Sequence, residues 1–146
     1  NGSFLWLSER DGNQHIYHVT EEGKKAVAVT KGPWDVANYY GIDEENQWIY
    51  FSATKNTGTS TQGFRVKLSG EQLTCLTPKL GSHSLRFNDE FTHFVHTHSS
   101  TTSLSQTHVR RADGKFLHTI APNLDDRVRY YKIRDQEFVQ VPTRDG

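Results

Sequence analysis

The sequence predicts an all-β protein, a partial β-propeller of just under three four-stranded antiparallel blades. First, segments rich in β-branched and aromatic residues alternate with short polar or Gly-containing turns, and no window carries a helical i, i+3, i+4, i+7 apolar face of useful length. Second, the segments recur. Trp6, Tyr50 and Phe94 sit 44 residues apart at the centres of equivalent strands, and Gly70 and Gly114, each closing a third strand, share that spacing. Thr30 and Thr77, each after a fourth strand, are 47 apart. A four-strand repeat of this length marks propeller blades, whose small sheets bury their faces only by stacking on neighbours. Third, the strand around Tyr50 puts Trp48, Tyr50 and Ser52 on one face and Ile49, Phe51 and Ala53 on the other. Large apolar groups on both faces fit a sheet held between two others, whereas a sandwich strand would keep one polar face.

The elements follow in order. Residues 3–30 hold three strands, at 4–8, 15–19 and 26–30, turned at Asp11-Gly12 and Glu21-Glu22-Gly23. This is a blade without its first strand. The unit 34–77 is complete, with strands at 36–43, 47–52, 64–68 and 73–76. Residues 82–120 repeat the plan at 83–87, 91–98, 103–110 and 116–120, with Ala112-Asp113-Gly114 turning the last hairpin. The partial propeller is thus expected over 1–123. Residues 124–146 break the repeat and read as a linker with one more strand, at 136–141, leading toward another domain.

Composition narrows the functions. Leu, Ile, Val and Phe make up 33 of 146 residues, enough for a core and above the level of disordered chains. The formal net charge is zero, so no global field attracts nucleic acid or an anionic membrane, and no nucleic-acid partner is expected. Cys75 is the only cysteine, which excludes an internal disulfide and a cysteine zinc site. No apolar run approaches the roughly 18 residues of a membrane helix. The chain has no methionine and opens in mid-pattern, so it is expected to be a piece of a longer protein.

Four groups of residues invite a chemical reading. Among eight histidines, His96 and His98 share a strand face that His83 on the neighbouring strand could join. Zinc needs at least three converging ligands, and adjacent strand histidines meet often without one, so no metal site is expected. Ser82-His83-Ser84 sets serines beside a histidine, but neighbouring strand residues point to opposite faces and no nucleophile elbow accompanies them. Glu44 with Glu45, and Asp125 with Asp126, sit beside turn formers, where carboxylates are solvated rather than paired for acid and base work. Trp34, Tyr39, Tyr40 and Trp48 could form an aromatic ligand platform, but packing between blades is the reading preferred. No catalytic, cofactor-binding or metal-binding residue is therefore assigned.

Several strings read together resemble the propeller of the dipeptidyl peptidase IV family of serine exopeptidases, in the prolyl oligopeptidase group. They are FLWLSERDGNQHIY at 4–17, TKGPWDV at 30–36, GIDEENQWIYFS at 41–52, FRVKL at 64–68 and RRADGK at 110–115. Residues 138–146 look like the crossing from that propeller into an α/β-hydrolase domain. The polar loop 55–62 and the Ser/Thr tract 99–105 match no family motif and leave the subfamily open. The resemblance implies an eight-bladed ring, of which this chain would be roughly the last third. It also implies a parent whose propeller gates and positions peptides, often with proline second, for removal of N-terminal dipeptides. The Ser, Asp and His of such an enzyme would lie beyond Gly146, and its acidic anchor for the substrate N-terminus upstream of Asn1. The fragment would be inert, without cofactor, and its partners would be the hydrolase domain and peptide substrates. Export of the parent to the periplasm, cell surface or medium is implied by the resemblance alone. The alternative is a non-enzymatic propeller that binds a ligand or protein, since the fold hosts many functions. Under three blades cannot close a ring, so the end sheets should expose faces and the fragment should self-associate.

Overall fold

A computed structural model describes residues 2–20, 23, 25–55, 60–101 and 103–121. The linker expected over 124–146, its strand at 136–141 and the pair Asp125 and Asp126 lie outside them. Eleven strands and no helix are present among the described residues. They form three antiparallel sheets. The first holds β1 (Phe4–Ser8), β2 (His15–Thr20) and β3 (Lys25–Ala28), each paired with the next. The second orders β4 (Val36–Asp43), β5 (Trp48–Ala53), β6 (Gln62–Lys67) and β7 (Thr74–Cys75). The third orders β8 (Ser82–Phe87), β9 (His93–Ser100), β10 (Ser103–Arg111) and β11 (Phe116–Ala121). This is the predicted partial propeller, with the first sheet one strand short.

Strand ends differ from the expectation where a turn claims a residue. Gln47 has φ 58° and Phe91 φ 50°, so both belong to turns and β5 and β9 begin later than their β-forming residues suggest. At the second of these, Asn88 Oδ1 accepts from the Thr92 and His93 amides at 3.0 and 2.9 Å, holding Phe91 out of the strand.

The 44- and 47-residue spacings have a hydrogen-bonded basis. Thr30 Oγ1 accepts from the Ile16 amide at 3.0 Å, and Thr77 Oγ1 accepts from the Gly63 amide at 2.8 Å. Each threonine closes the start of its third strand onto the end of its fourth. The residues before those amides carry a second matched pair of bonds, from His15 Nε2 to Gly32 O at 3.0 Å and from Gln62 Nε2 to Lys79 O at 3.2 Å. Gly70 and Gly114 close matching turns, their amides donating to Lys67 O and Arg111 O at 2.7 and 2.8 Å. Both have positive φ, 87° and 91°, and an added Cβ would come within 3.0 Å of Val29 O and 3.3 Å of Leu76 O, carbonyls of the preceding sheet. Glycine is required there by backbone conformation and by close approach of the sheets together.

Two seams hold the sheets. Between the first and second, Ile16, Val29, Trp34, Val36, Ile49, Phe51, Ala53, Phe64 and Val66 form one buried apolar cluster. Between the second and third, Tyr50, Leu76, Leu85, Phe94 and Ala112 form another. β5 thus sends Ile49, Phe51 and Ala53 one way and Tyr50 the other, as its alternation predicts. The seams are also bolted at a rim. Asp35 Oδ1 accepts from the Gln14 amide at 2.7 Å and from Asn13 Nδ2 at 3.2 Å, so a side chain leading into the second sheet grips the β1–β2 turn of the first. Those bonds, the Gln14 amide foremost, hold the Asp35 carboxyl below its ordinary pKa. The outward side of the first sheet carries Phe4 and Trp6, 54% and 46% exposed, with the Arg10 guanidinium 4.8 Å from the Trp6 ring. The third sheet exposes Val95, Leu117 and Ile120.

Candidate functional site

The residues that invite chemistry converge on the second seam. Period-two alternation on β8 and β9 turns His83, Leu85 and Phe87 and Phe94, His96 and His98 to the same side as the buried Tyr50. Cross-strand register sets His83 opposite His98 and one step from His96. The rings of His83 and His96 stack, with centroids 5.2 Å apart at an interplanar angle of 12°, and the His98 ring is tilted by 32° against that of His83 with centroids 4.8 Å apart. Arg110 and His108 reach the same cluster from β10, where the sequence offered no sign of them.

The hydrogen bonds fix the protons. Arg110 Nε–H donates to His96 Nδ1 at 3.1 Å, so that nitrogen carries no proton and the neutral ring is protonated on Nε2. His96 Nε2 then donates to His83 Nδ1 at 2.9 Å, and His83 Nε2 donates to the Lys79 carbonyl at 2.8 Å. The result is a one-way chain from guanidinium to backbone carbonyl. Arg110 is anchored at its other end by Nη1, which donates to Gly114 O at 2.8 Å. His98 Nε2 donates separately to Leu80 O at 2.9 Å.

Electrostatics favour that neutral arrangement. His96 is buried, and desolvation first, then the positive Arg110, hold its pKa down at about 3. Burial also lowers His83 and His108, and it lowers Arg110 from its ordinary value. Such a chain suits neither metal nor base. Its facing nitrogens are spent on each other, and among the described residues no three His, Cys, Asp or Glu side chains are set to hold a metal ion.

The remaining candidates separate in space. Ser82 and Ser84 are exposed while His83 turns inward, so neither serine shares its face. Glu44 and Glu45 are exposed in the β4–β5 turn, where Asp43 accepts from the Asn46 amide and side chain, both at 2.9 Å. The aromatics do not form one platform. Trp34 is buried, edge-on to His15 at 4.9 Å and stacked over Phe51 at 6.3 Å. Tyr40 packs on Phe87, and the Arg65 and Lys67 cations of β6 lie over the Trp48 ring, 4.1 and 4.2 Å from its centroid. Tyr39 alone is exposed, lining with Phe4, Leu5, Ile42 and Glu44 a groove of about 590 Å³ between the first two sheets.

Comparison with known proteins accounts for the fold. The profile of the "Dipeptidyl peptidase IV (DPP IV) N-terminal region" matches residues 1–104. Dipeptidyl peptidase 4 of Trichophyton rubrum is 25% identical over 148 aligned positions, covering 98% of this chain and 19% of that protein. A probable dipeptidyl peptidase 4 of Aspergillus fumigatus is 30% identical over 73 residues, half of this chain and 10% of its own length. Dipeptidyl peptidase 4 of Porphyromonas gingivalis superposes with a TM-score of 0.78 at 27% identity, over 88% of this chain and 18% of that one. The chain spans about a fifth of the length of the dipeptidyl peptidases it matches across its whole extent. Three stacked sheets on a 44-residue repeat, matched over most of their length by that profile, place the chain in the dipeptidyl peptidase IV family, within its N-terminal β-propeller region.

Proposed function

We propose that this chain is the C-terminal part of the propeller of a serine exopeptidase that removes dipeptides from peptide N-termini, and that it carries none of the catalytic groups. One observation supports this above the others: 88% of this chain superposes on only 18% of a dipeptidyl peptidase 4 chain. The remainder of such a protein holds the reaction, and this segment helps build the ring that admits and positions peptides. In a propeller the first strand of each blade lines the central channel, the place taken here by β4 and β8. The exposed Tyr39 lies on that innermost strand, β4, in the groove toward the first sheet. Adjoining blades stack on the apolar faces around Trp6 and Val95, through which the isolated chain associates with itself. The parent is exported, and its further partners are its hydrolase domain and peptide substrates.

The test is hydrolysis of a Gly-Pro chromogenic substrate by the full-length protein and by the 146-residue chain. The full-length protein is expected to release the chromophore and to lose that activity with a serine-directed inhibitor, while the chain alone shows none. A full-length protein without dipeptide release overturns the reading, and turnover by the chain alone overturns the siting of the catalytic groups.

A further inference from the structure

The chain of bonds in the second seam has a property that none of its members has singly. Running from Arg110 through His96 and His83 to the Lys79 carbonyl, it has one donor and one acceptor at each junction and begins with a group that can only donate. An extra proton on His83 Nδ1 faces the Nε2–H of His96. If His96 turns that nitrogen into an acceptor, its own proton moves to Nδ1 and faces Arg110 Nε–H. An extra proton on His96 Nδ1 meets Arg110 directly. Every way of placing one more proton on the pair therefore breaks a junction, and no hydroxyl in the chain can reverse its role.

We propose that the His83–His96–Arg110 chain is a proton-operated latch, which ties β8, β9 and β10 to one another along the face that packs on the second sheet and loosens that face when the pair takes up a proton on acidification. The latch rests on the seam geometry and is independent of the proposed peptidase role. The groups around it offer a proton little compensation. His98 lies on the same strand as His96, His108 and Arg110 come from β10, and the charge of Lys79 in the connecting segment acts on His108. From the facing sheet come Tyr50 and Arg65, with Asp113 of the β10–β11 turn acting on both. The charges acting on His96 itself are those of Arg110, His83, His98 and His108, all of which oppose its protonation. The depressed pKa of His96 expresses that opposition in the closed seam, whereas an opened seam returns each ring to its ordinary value of 6.5.

Linkage then gives the sign. Below about pH 6.5 the open form binds protons that the closed form refuses, so the opening constant rises about tenfold per pH unit for each histidine released. Hydrogen–deuterium exchange by mass spectrometry, run on the full-length protein and corrected for the intrinsic pH dependence of exchange, reads that constant. Between pH 6.5 and 4.5 opening at β8, β9 and β10 is expected to increase at least about 50-fold, while β2 in the first seam stays flat. Glutamine offers one donor and one acceptor without titrating, so H83Q/H96Q is expected to abolish the rise and keep the protection seen at pH 7.5. A second measurement does not depend on that variant folding. Exchange at the imidazole C2 position in the unaltered protein should place the midpoints of His83 and His96 below 6.5, and R110Q should raise both, that of His96 more than that of His83. A third sheet as flat in pH as β2, a rise that survives H83Q/H96Q, or an ordinary midpoint for either ring overturns the proposal.

Discussion

The two seams of this molecule face each other across one sheet and are built on opposite principles. On one side of β5 the contact is dry: Ile49, Phe51 and Ala53 meet Val29, Trp34 and Val36, and the stacked rings of Trp34, Phe51 and Phe64 fill the centre. On the other side Tyr50 meets Phe94, but next to them lie four histidines and an arginine, with Arg110, His96 and His83 joined by directed hydrogen bonds. The first seam has a histidine too, and the contrast between the two kinds of site is instructive. His15 bonds to Gly32 O and to the hydroxyl of Thr30, at 3.0 and 3.1 Å. A hydroxyl rotates to donate or accept, so the bonds of His15 impose no fixed order of donors. His96 sits between another imidazole and a guanidinium and has no such freedom. Apolar contact holds the sheets whatever the pH, whereas a chain of fixed donors ties β8, β9 and β10 only in one protonation state.

The largest effect that separates the seams should come from cutting their central rings. Phe51 and Phe94 are both fully buried, and Phe→Ala in a core costs about 3–5 kcal/mol. Phe51→Ala is expected near the top of that range, because the void is walled by Trp34, Phe64 and aliphatic groups that give water no partner. Phe94→Ala is expected near the bottom, since the polar cluster beside it can hydrate the space. Denaturant unfolding of both variants at neutral pH measures the gap. Equal losses would mean that the second seam packs as dryly as the first.

How far these seams could be read beforehand depends on the kind of contact. Alternation along residues 48–53 announced that both faces of β5 are buried, because a strand has only two faces and both carried large apolar groups. The spacing of Thr30 and Thr77 was legible as a repeat before its purpose was known, since the same hydrogen bond recurs where the same strands close. The meeting of His83 with His96 and His98 was legible from shared strand faces. The role of Arg110 was not. It rests on the register of β10 against β9, which slips between Ser103 and Gln106, and on a long side chain that could have turned either way. The grip of Asp35 on the first sheet was hidden for a related reason: it joins two sheets whose relative placement no local pattern encodes. Side chains that pack along a strand leave a period behind, and those that reach across sheets leave none.

An intermediate effect should come from the two threonines, which make the same closing bond at the margins of different seams. Replacing either by valine keeps its shape and strands a buried amide, at about 1–3 kcal/mol. Thr30→Val should cost more than Thr77→Val. The Thr30 hydroxyl serves both the Ile16 amide and His15 Nδ1, whereas Gln62, which stands where His15 does, bonds to the carbonyls of Thr77 and Lys79. Thermal unfolding of the pair at one pH decides this. A larger loss for Thr77→Val would show that the matched hydrogen bonds are not equivalent between blades.

The smallest effect concerns the surface turn that caps the third sheet. Asp113 accepts from Arg111 Nε at 2.9 Å and from the Lys115 amide at 2.9 Å, and these partners, Arg111 foremost, hold its pKa at about 2. The sign is that of a depressed carboxylate. Its contribution is complete above the ordinary value of 3.8 and fades as pH falls toward about 2, where the folded form also takes the proton. Solvent screens the pair, so Asp113→Asn should lower stability at pH 7 by less than either threonine change. The difference from the unaltered chain should close below pH 4, a window well under the one in which the histidine latch opens. Acid titration of both proteins checks it. A difference that closes near pH 6 instead would couple this turn to the second seam, through Arg65 and Tyr50, on both of which Asp113 acts.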